Sequence, residues 1–250
     1  MSDHARIAGR FFAARHSYVR EAVVQEDMAQ SLLTALKESG ADPARTLELG
    51  CGAGLLSLRL CTLPGITLTL NDLSPALSAH TARVLKDRYP ELELTLQPGD
   101  MESLTLNGPY TLIAANAVLQ WARDLPSLLK TLHSGLAPGG TLAFTTFVTP
   151  TLMALPAAGV KGLDYYTPEA LTRLVQEIFP VSALSFKDYA LHFVSAREAL
   201  MHLKATGTNA VGEGVLSVPA TRRLLHRLEQ NMENGKVTLH FNTARVLCRA

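Results

Sequence analysis

Gly50, Gly52 and Gly54 occupy alternate positions in "TLELGCGAGLLSLRL", straight after the apolar run Thr46 to Leu49 and straight before another apolar run. Glycines spaced this way let the backbone take positive φ and let a ligand lie against it with no side chain between. A dinucleotide fingerprint needs G-x-G-x-x-G, and this loop reads G-x-G-x-G. Glu48 argues the same way: a carboxylate beside a bound pyrophosphate repels it, whereas beside a cationic ligand it attracts. Further chemistry-bearing residues end later apolar runs, namely Asp72 in "LTLNDLSP", Asp100 and Met101 in "GDMESL", and Asn116, Gln120 and Trp121 in "AANAVLQW". Taken singly, each has a plain reading. A glycine turn can be only a turn, Asp72 can cap the helix that follows it, Met101 can be core, and Cys51 can be a small apolar filler.

The elements that would position these residues alternate in type. Apolar positions Ala22, Ala29, Leu32, Leu33 and Leu36 fall at helical intervals before Gly40, and a shorter helix is expected over 7–15. Thr46 to Leu49 reads as a strand, Leu55 to Cys61 as a helix and Ile66 to Leu70 as a strand. Ser74-Pro75 then opens a helix, because serine caps free N–H groups and proline has none to lose. Leu92 to Gln97 and Tyr110 to Ala115 read as strands, Asp124 to His133 as a helix, "LAPGG" at Leu136 to Gly140 as a turn, and Thr141 to Phe147 as a strand. Strands separated by helices imply crossovers and a doubly wound, mainly parallel α/β sheet. Past Pro150 the pattern predicts a helix from Thr167-Pro168 to about Ile178, a strand pair near Ala183 to Phe193, helices around Ala196 to Ala205 and Ala220 to Met232, and a final strand-forming stretch "KVTLHFNTARVLCRA". The chain reads as one domain, with N-terminal helices (1–40) and helices within 196–232 as a lid on a core of residues 41–150 and a C-terminal part of 151–250.

Composition narrows the function classes. The chain has 250 residues, 47% hydrophobic and 18% charged, with formal net charge +1, which speaks against a uniformly basic polyanion binder. Cys51, Cys61 and Cys248 are odd in number and lack metal-ligand spacing, so neither a disulfide framework nor a metal site is expected. No secretory signal and no membrane-spanning run is seen, and a cytoplasmic location is expected. No basic stripe with interleaved aromatics suggests nucleic-acid binding.

Together the motifs resemble those of class I methyltransferases that use S-adenosylmethionine, a ligand with an ammonium and a sulfonium and no phosphate. The resemblance implies a seven-stranded Rossmann-like sheet and cofactor contacts from Glu48, Gly50, Gly52, Gly54, Asp72, Leu73, Asp100, Met101 and Asn116. Asp72, eighteen positions after Gly54, would accept from both ribose hydroxyls, Asp100 would take the adenine amino group, and Met101 would pack on the ring.

The flanking segments resemble one family within that class, the malonyl-acyl-carrier-protein O-methyltransferases of biotin synthesis. The likeness runs through "FFAARHSYVREAVVQEDMAQSLL", "NAVLQWARDLPSLL", "LAPGGTLAFTTFVTPTL" and "ALMHLKATGTNAVGEG". Ala13, Val148 and Ala154 depart from the family's usual residues, as does "LDYYTPEAL". The implied reaction methylates the free carboxylate of malonyl-acyl-carrier protein, or of malonyl-coenzyme A, to give the ester that starts the pimeloyl chain. Such a carboxylate, with a reference pKa near ~4, is already a nucleophilic anion, so no general base is required. Tyr18 is the expected orienting donor, with Gln120 and Trp121 as pocket walls. Arg197 and Lys204 on one helix, with Arg223 and Arg227 on another, are the expected landing patch for an acidic carrier, and a monomer is expected. Two other readings stay open at this point: an enzyme for a small free carboxylic acid, and a non-catalytic partner that binds S-adenosylmethionine.

Overall fold

Crossover helices place the strands of this chain into a single sheet in the order β3-β2-β1-β4-β5-β8-β6, with a two-residue β7 paired to β8. The computed structural model describes residues 9, 12, 18, 20–160, 162–179, 181–206, 217–230 and 232–250. The strands are β1 (Thr46–Leu49), β2 (Thr67–Leu70), β3 (Glu93–Leu96), β4 (Tyr110–Asn116), β5 (Leu136–Val148), β6 (Val181–Phe193), β7 (Met232–Glu233) and β8 (Lys236–Arg249). β1 to β5 pair in parallel, and β8 runs antiparallel to both neighbours, β5 and β6. The order reverses between β1 and β4, which creates a crevice at their carboxyl ends.

Alternation along the central strands makes two core layers. On β4, Ile113 and Ala115 join Leu47 and Leu49 of β1 beneath α4 (Leu125–Ser134) and α6 (Pro168–Ile178), with Leu128, Leu129, Leu132, Leu171 and Val175. Leu112 and Ala114 face the other way, against α1 (Val23–Ser39) and α2 (Ser57–Leu60), where Leu32, Leu36, Leu56 and Leu60 are almost fully buried. Glu48 sits between Leu47 and Leu49 and so points into this second layer, 1% exposed. The helix ends follow their local chemistry. Gly40, with φ 64, closes α1 by donating to Leu36 and Lys37 carbonyls. Ser74, Asp124 and Thr167 cap α3 (Pro75–Arg88), α4 and α6 through side-chain oxygens, each ahead of a proline in the first turn.

A third cluster packs α5 (Ala154–Ala157), α7 (Ala196–Ala205) and α8 (Val218–Gln230) with Val24 and Met28 of α1, Phe147 of β5 and Leu239 and Phe241 of β8.

Three expectations are corrected. The "LAPGG" stretch is part of β5, not a separate turn. Leu136 pairs with Tyr110, the register shifts before Leu112, and Gly139 at φ 75 and Gly140 admit the irregularity while bonding to Ala250. Ala183 to Phe193 is not a strand pair. One continuous strand, β6, runs beside β8 from Val181 to Phe193, with Ser185, Phe186, Lys187 and Asp188 exposed in succession and Tyr189, Leu191 and Phe193 half-buried. Helix α2 is also shorter than expected, because the residues before Ser57 belong to the glycine loop. The helix expected over 7–15 lies largely outside the described residues.

Candidate active site

The crevice holds an open cleft of about 1010 Å3, open solvent included, lined at its base by Gly50, Gly52, Ala53, Asn71, Asp72 and Leu73. Gly99, Asp100, Met101 and Glu102 close one side, and Tyr18, Asn116, Ala117, Val118 and Trp121 the other. The glycine loop is bound to the neighbouring strand ends. Cys51 N–H donates to Asn71 O, Gly52 N–H to Asp72 Oδ2 at 2.9 Å, and Thr81 Oγ1 to Gly52 O at 2.7 Å. Asp72 Oδ1 accepts from Ser74 N–H at 2.8 Å, so this carboxylate is oriented before any ligand arrives. Burial raises its carboxyl above the ordinary range, and the Ser74 and Gly52 N–H groups oppose that rise. Asn71 ties the second strand end to the third through bonds from Nδ2 to Gln97 and Gly99 carbonyls.

The loop glycines do different work. Each has positive φ, at 60°, 51° and 87°. A Cβ on Gly50 would lie 2.4 Å from Val118 Cγ2, whereas one on Gly52 would meet only the Gly50 carbonyl at 3.9 Å, in open space. Gly54 does not line the cleft; it lets the chain turn past Thr81, whose Cγ2 would be 3.2 Å from a Cβ.

The charged side chains that line the cleft are acidic. Three acidic residues, Asp72, Asp100 and Glu102, line the cleft, and no lysine, arginine or histidine does so among the described residues. Glu48 is buried nearby, and its Oε2 has no hydrogen-bond partner among the described residues. Burial pushes that carboxyl up to about 8, with Ser57 opposing and the negative Asp72 adding. Such a cradle fits a cation with neighbouring hydroxyls and is wrong for a phosphate. Those are the features of S-adenosylmethionine, and the open face of Gly52 supplies the space it needs against the backbone. No group of acidic, histidine or cysteine side chains suited to a metal ion occurs among the described residues.

Tyr18 lines the cleft beside this charge. Burial, together with the negative Asp72, holds its phenol far above the ordinary range, so it keeps its proton and acts as a donor. Trp121, Met101 and Leu73 also line the cleft. Asn116 lines it too, but its amide is committed: Nδ2 donates to Gln25 O on α1 at 3.0 Å, and Oδ1 accepts from Thr145 Oγ1 at 2.6 Å. Glu48, Gly54 and Gln120 do not line the cleft. Gln120 faces a small neighbouring cavity with Tyr165 and Leu171, bonding through Nε2 to Ala117 O and through Oε1 to Thr146. Arg197, Lys204, Arg223 and Arg227 are exposed on α7 and α8, and no described residue of those helices lines the cleft. Sequence reading missed Asn71, Glu102 and Arg123. Only Glu102, an acid two positions past Asp100, carried a visible signal.

Residues 20–178 match a family described as methyltransferase domain. A malonyl-acyl-carrier-protein O-methyltransferase from Chlorobium phaeovibrioides is 34% identical over 216 residues, covering 85% of this chain and 83% of its own. The chain belongs to this O-methyltransferase family. Solved structures agree on the fold. The YcgJ protein of Bacillus subtilis superposes with TM-score 0.65 at 12% identity over 88% of this chain and 98% of its own. A phosphoethanolamine N-methyltransferase from Haemonchus contortus, bound to S-adenosylhomocysteine and phosphomonomethylethanolamine, gives 0.58 at 14% identity over 88% and 52%. As a member of this O-methyltransferase family the chain is a methyltransferase enzyme that uses S-adenosylmethionine, in line with the acidic, phosphate-rejecting cleft.

Proposed function

We propose that this enzyme methylates the free carboxylate of malonyl-acyl-carrier protein, giving the malonyl methyl ester that enters biotin synthesis. The observation that carries the reading is the pairing of an acidic cleft with one protonated phenol, Tyr18, on its wall. The cofactor, when bound, supplies an electrophilic methyl group. Asp72, Asp100 and Met101 would hold its nucleoside end, while Gly50 and Gly52 would let its chain lie against the loop. The substrate carboxylate needs no proton removed. One of its oxygens would accept the methyl group. The protein's part is to align that oxygen and to keep water out. Tyr18 is the orienting group, its O–H donating to the attacking carboxylate without neutralising it, and Trp121 walls the acceptor side.

The carrier would land on Arg197, Lys204, Arg223 and Arg227. Support comes from their exposure on two helices that pack together in one cluster, at spacings that give each pair a shared face. The N-terminal helices, α1 among them, and α7–α8 would act as the lid, a role supported by the shared cluster of Val24 and Met28 of α1 with α7 and α8 and by Tyr18 on the cleft wall. The reading is tested by transfer of labelled methyl from S-adenosylmethionine, with malonyl-acyl-carrier protein, malonyl-coenzyme A and malonate compared. Tyr18→Phe is expected to lower the turnover number on the order of tenfold or more while S-adenosylhomocysteine affinity holds. Unchanged turnover in Tyr18→Phe would remove Tyr18 from the mechanism.

A further inference from the structure

Arg123 joins the two sides of the cleft at one end. Its Nη2 donates to Asp100 Oδ2 at 3.1 Å and its Nε to Glu102 Oε2 at 3.0 Å. The backbone N–H groups of Arg123 and Asp124 both donate to Glu102 Oε1, at 3.0 and 2.8 Å. Glu102 N–H in turn donates to Asp100 Oδ1 at 3.0 Å. The loop after β3 is thereby fastened to the segment between Trp121 and α4, and Asp124 anchors that segment by capping α4. Burial alone would raise the Glu102 carboxyl, yet the Asp124 N–H and the Arg123 fork hold it below its ordinary range.

We propose that Arg123 is a positioning residue for base recognition: it fixes the Asp100 carboxylate in the orientation that the cofactor's adenine amino group meets. The proposal rests on the cofactor reading above. The clasp meets each Asp100 oxygen once, so it sets the plane in which that carboxylate is held. A purine with a carbonyl in place of that amino group would present oxygen to oxygen and be repelled. With Arg123 gone, the Asp100 carboxylate loses the guanidinium hold on Oδ2, and the advantage of an amino group shrinks. The Arg123 side chain is 69% exposed, so its removal opens no cavity and leaves the core intact.

The test is calorimetric titration with S-adenosylhomocysteine and with its 6-carbonyl analogue, S-inosylhomocysteine. Wild type should prefer the adenosyl ligand. Arg123→Ala should weaken that ligand by roughly 3- to 10-fold, as expected for an ion pair held in a network, and change the inosyl ligand by less than about twofold. Arg123→Lys should restore part of the preference, since an ammonium can pair with Asp100 but cannot bridge both acids. Equal weakening of both ligands in Arg123→Ala would mean general loosening and would overturn the proposal, as would no change in either. If wild type binds neither ligand, the cofactor reading itself falls, and this proposal with it.

Discussion

Gly50 and Gly52 make a sharp test of how the loop is built, because the same substitution should fail in two different ways. An alanine at either site is held at positive φ, which costs roughly 1–2 kcal/mol for an L-residue. At Gly50 the new Cβ also lies 2.4 Å from Val118 Cγ2 and 2.8 Å from Val118 Cβ, both closer than real contacts allow. Overpacking of this kind adds about 1–3 kcal/mol, so Gly50→Ala should lose ~2–5 kcal/mol of stability. At Gly52 the Cβ meets only a carbonyl at 3.9 Å, but Gly52 lines the cleft, so the methyl occupies ligand space. Gly52→Ala should therefore stay within about 1–2 kcal/mol of wild type yet bind S-adenosylhomocysteine at least ~10-fold more weakly. Urea unfolding without ligand reads the first quantity and calorimetry the second. Adding Val118→Ala to Gly50→Ala removes the 2.4 Å contact but leaves the 2.8 Å one, so it should recover only part of the loss. Wild-type affinity in Gly52→Ala, or wild-type stability in Gly50→Ala, would refute this account of the loop.

Glu48 predicts a pH dependence whose sign can be worked out. Its carboxyl is raised to about 8 in the folded protein against an ordinary 4.5, so the folded state keeps a proton that the unfolded state releases. That contribution to stability is complete below about 4.5 and is lost as pH rises through about 8. Glu48→Gln keeps a neutral group throughout, so its stability relative to wild type should increase between pH 5 and 8, by on the order of a few kcal/mol. A difference that stays flat in ligand-free unfolding at both pH values would remove burial as the cause. Asn116→Ala leaves Gln25 O and Thr145 without their partner, so it should cost ~1–3 kcal/mol and raise KM for the acceptor by loosening α1 behind Tyr18; urea unfolding and steady-state kinetics check both halves. Charge reversal at Arg197, Lys204, Arg223 and Arg227 should raise KM for the carrier-bound substrate, more at low salt than at high, while leaving malonyl-coenzyme A unaffected. Equal effects on both acceptors would remove the patch.

Much of this was legible in the sequence because the decisive signals are local. The glycine loop, the acidic strand end at Asp72 and the Ser74-Pro75 and Asp124-Leu125-Pro126 helix starts each need only neighbours to act, and each sits where it was read. Boundaries failed where long-range pairing overrode local punctuation. "LAPGG" carries turn chemistry, yet Leu136 pairs with Tyr110, Gly139 N–H donates to Ala250 O and Gly140 O accepts from Ala250 N–H, so the strand continues through it. β6 lacks clean alternation, and only the register of β8 across thirteen residue pairs shows it to be one strand. The site residues divide in the same way. Side chains flanking the motifs face the cleft, whereas Asn116, Gln120 and Arg123 owe their roles to residues far along the chain that no spacing could reveal. Gln120 shows this most simply, since the short helical turn at Leu119–Trp121 sends adjacent residues to opposite sides.

The most direct test of the central claim is the intact mass of malonyl-acyl-carrier protein after incubation with this enzyme and S-adenosylmethionine, beside an Asp72→Ala control. A gain of one methyl group on the malonyl carrier, absent with Asp72→Ala and removed by an esterase, is the predicted result. An unchanged carrier mass from an enzyme that demonstrably binds S-adenosylhomocysteine would contradict the acceptor assignment and leave the methyltransferase with another carboxylate to find.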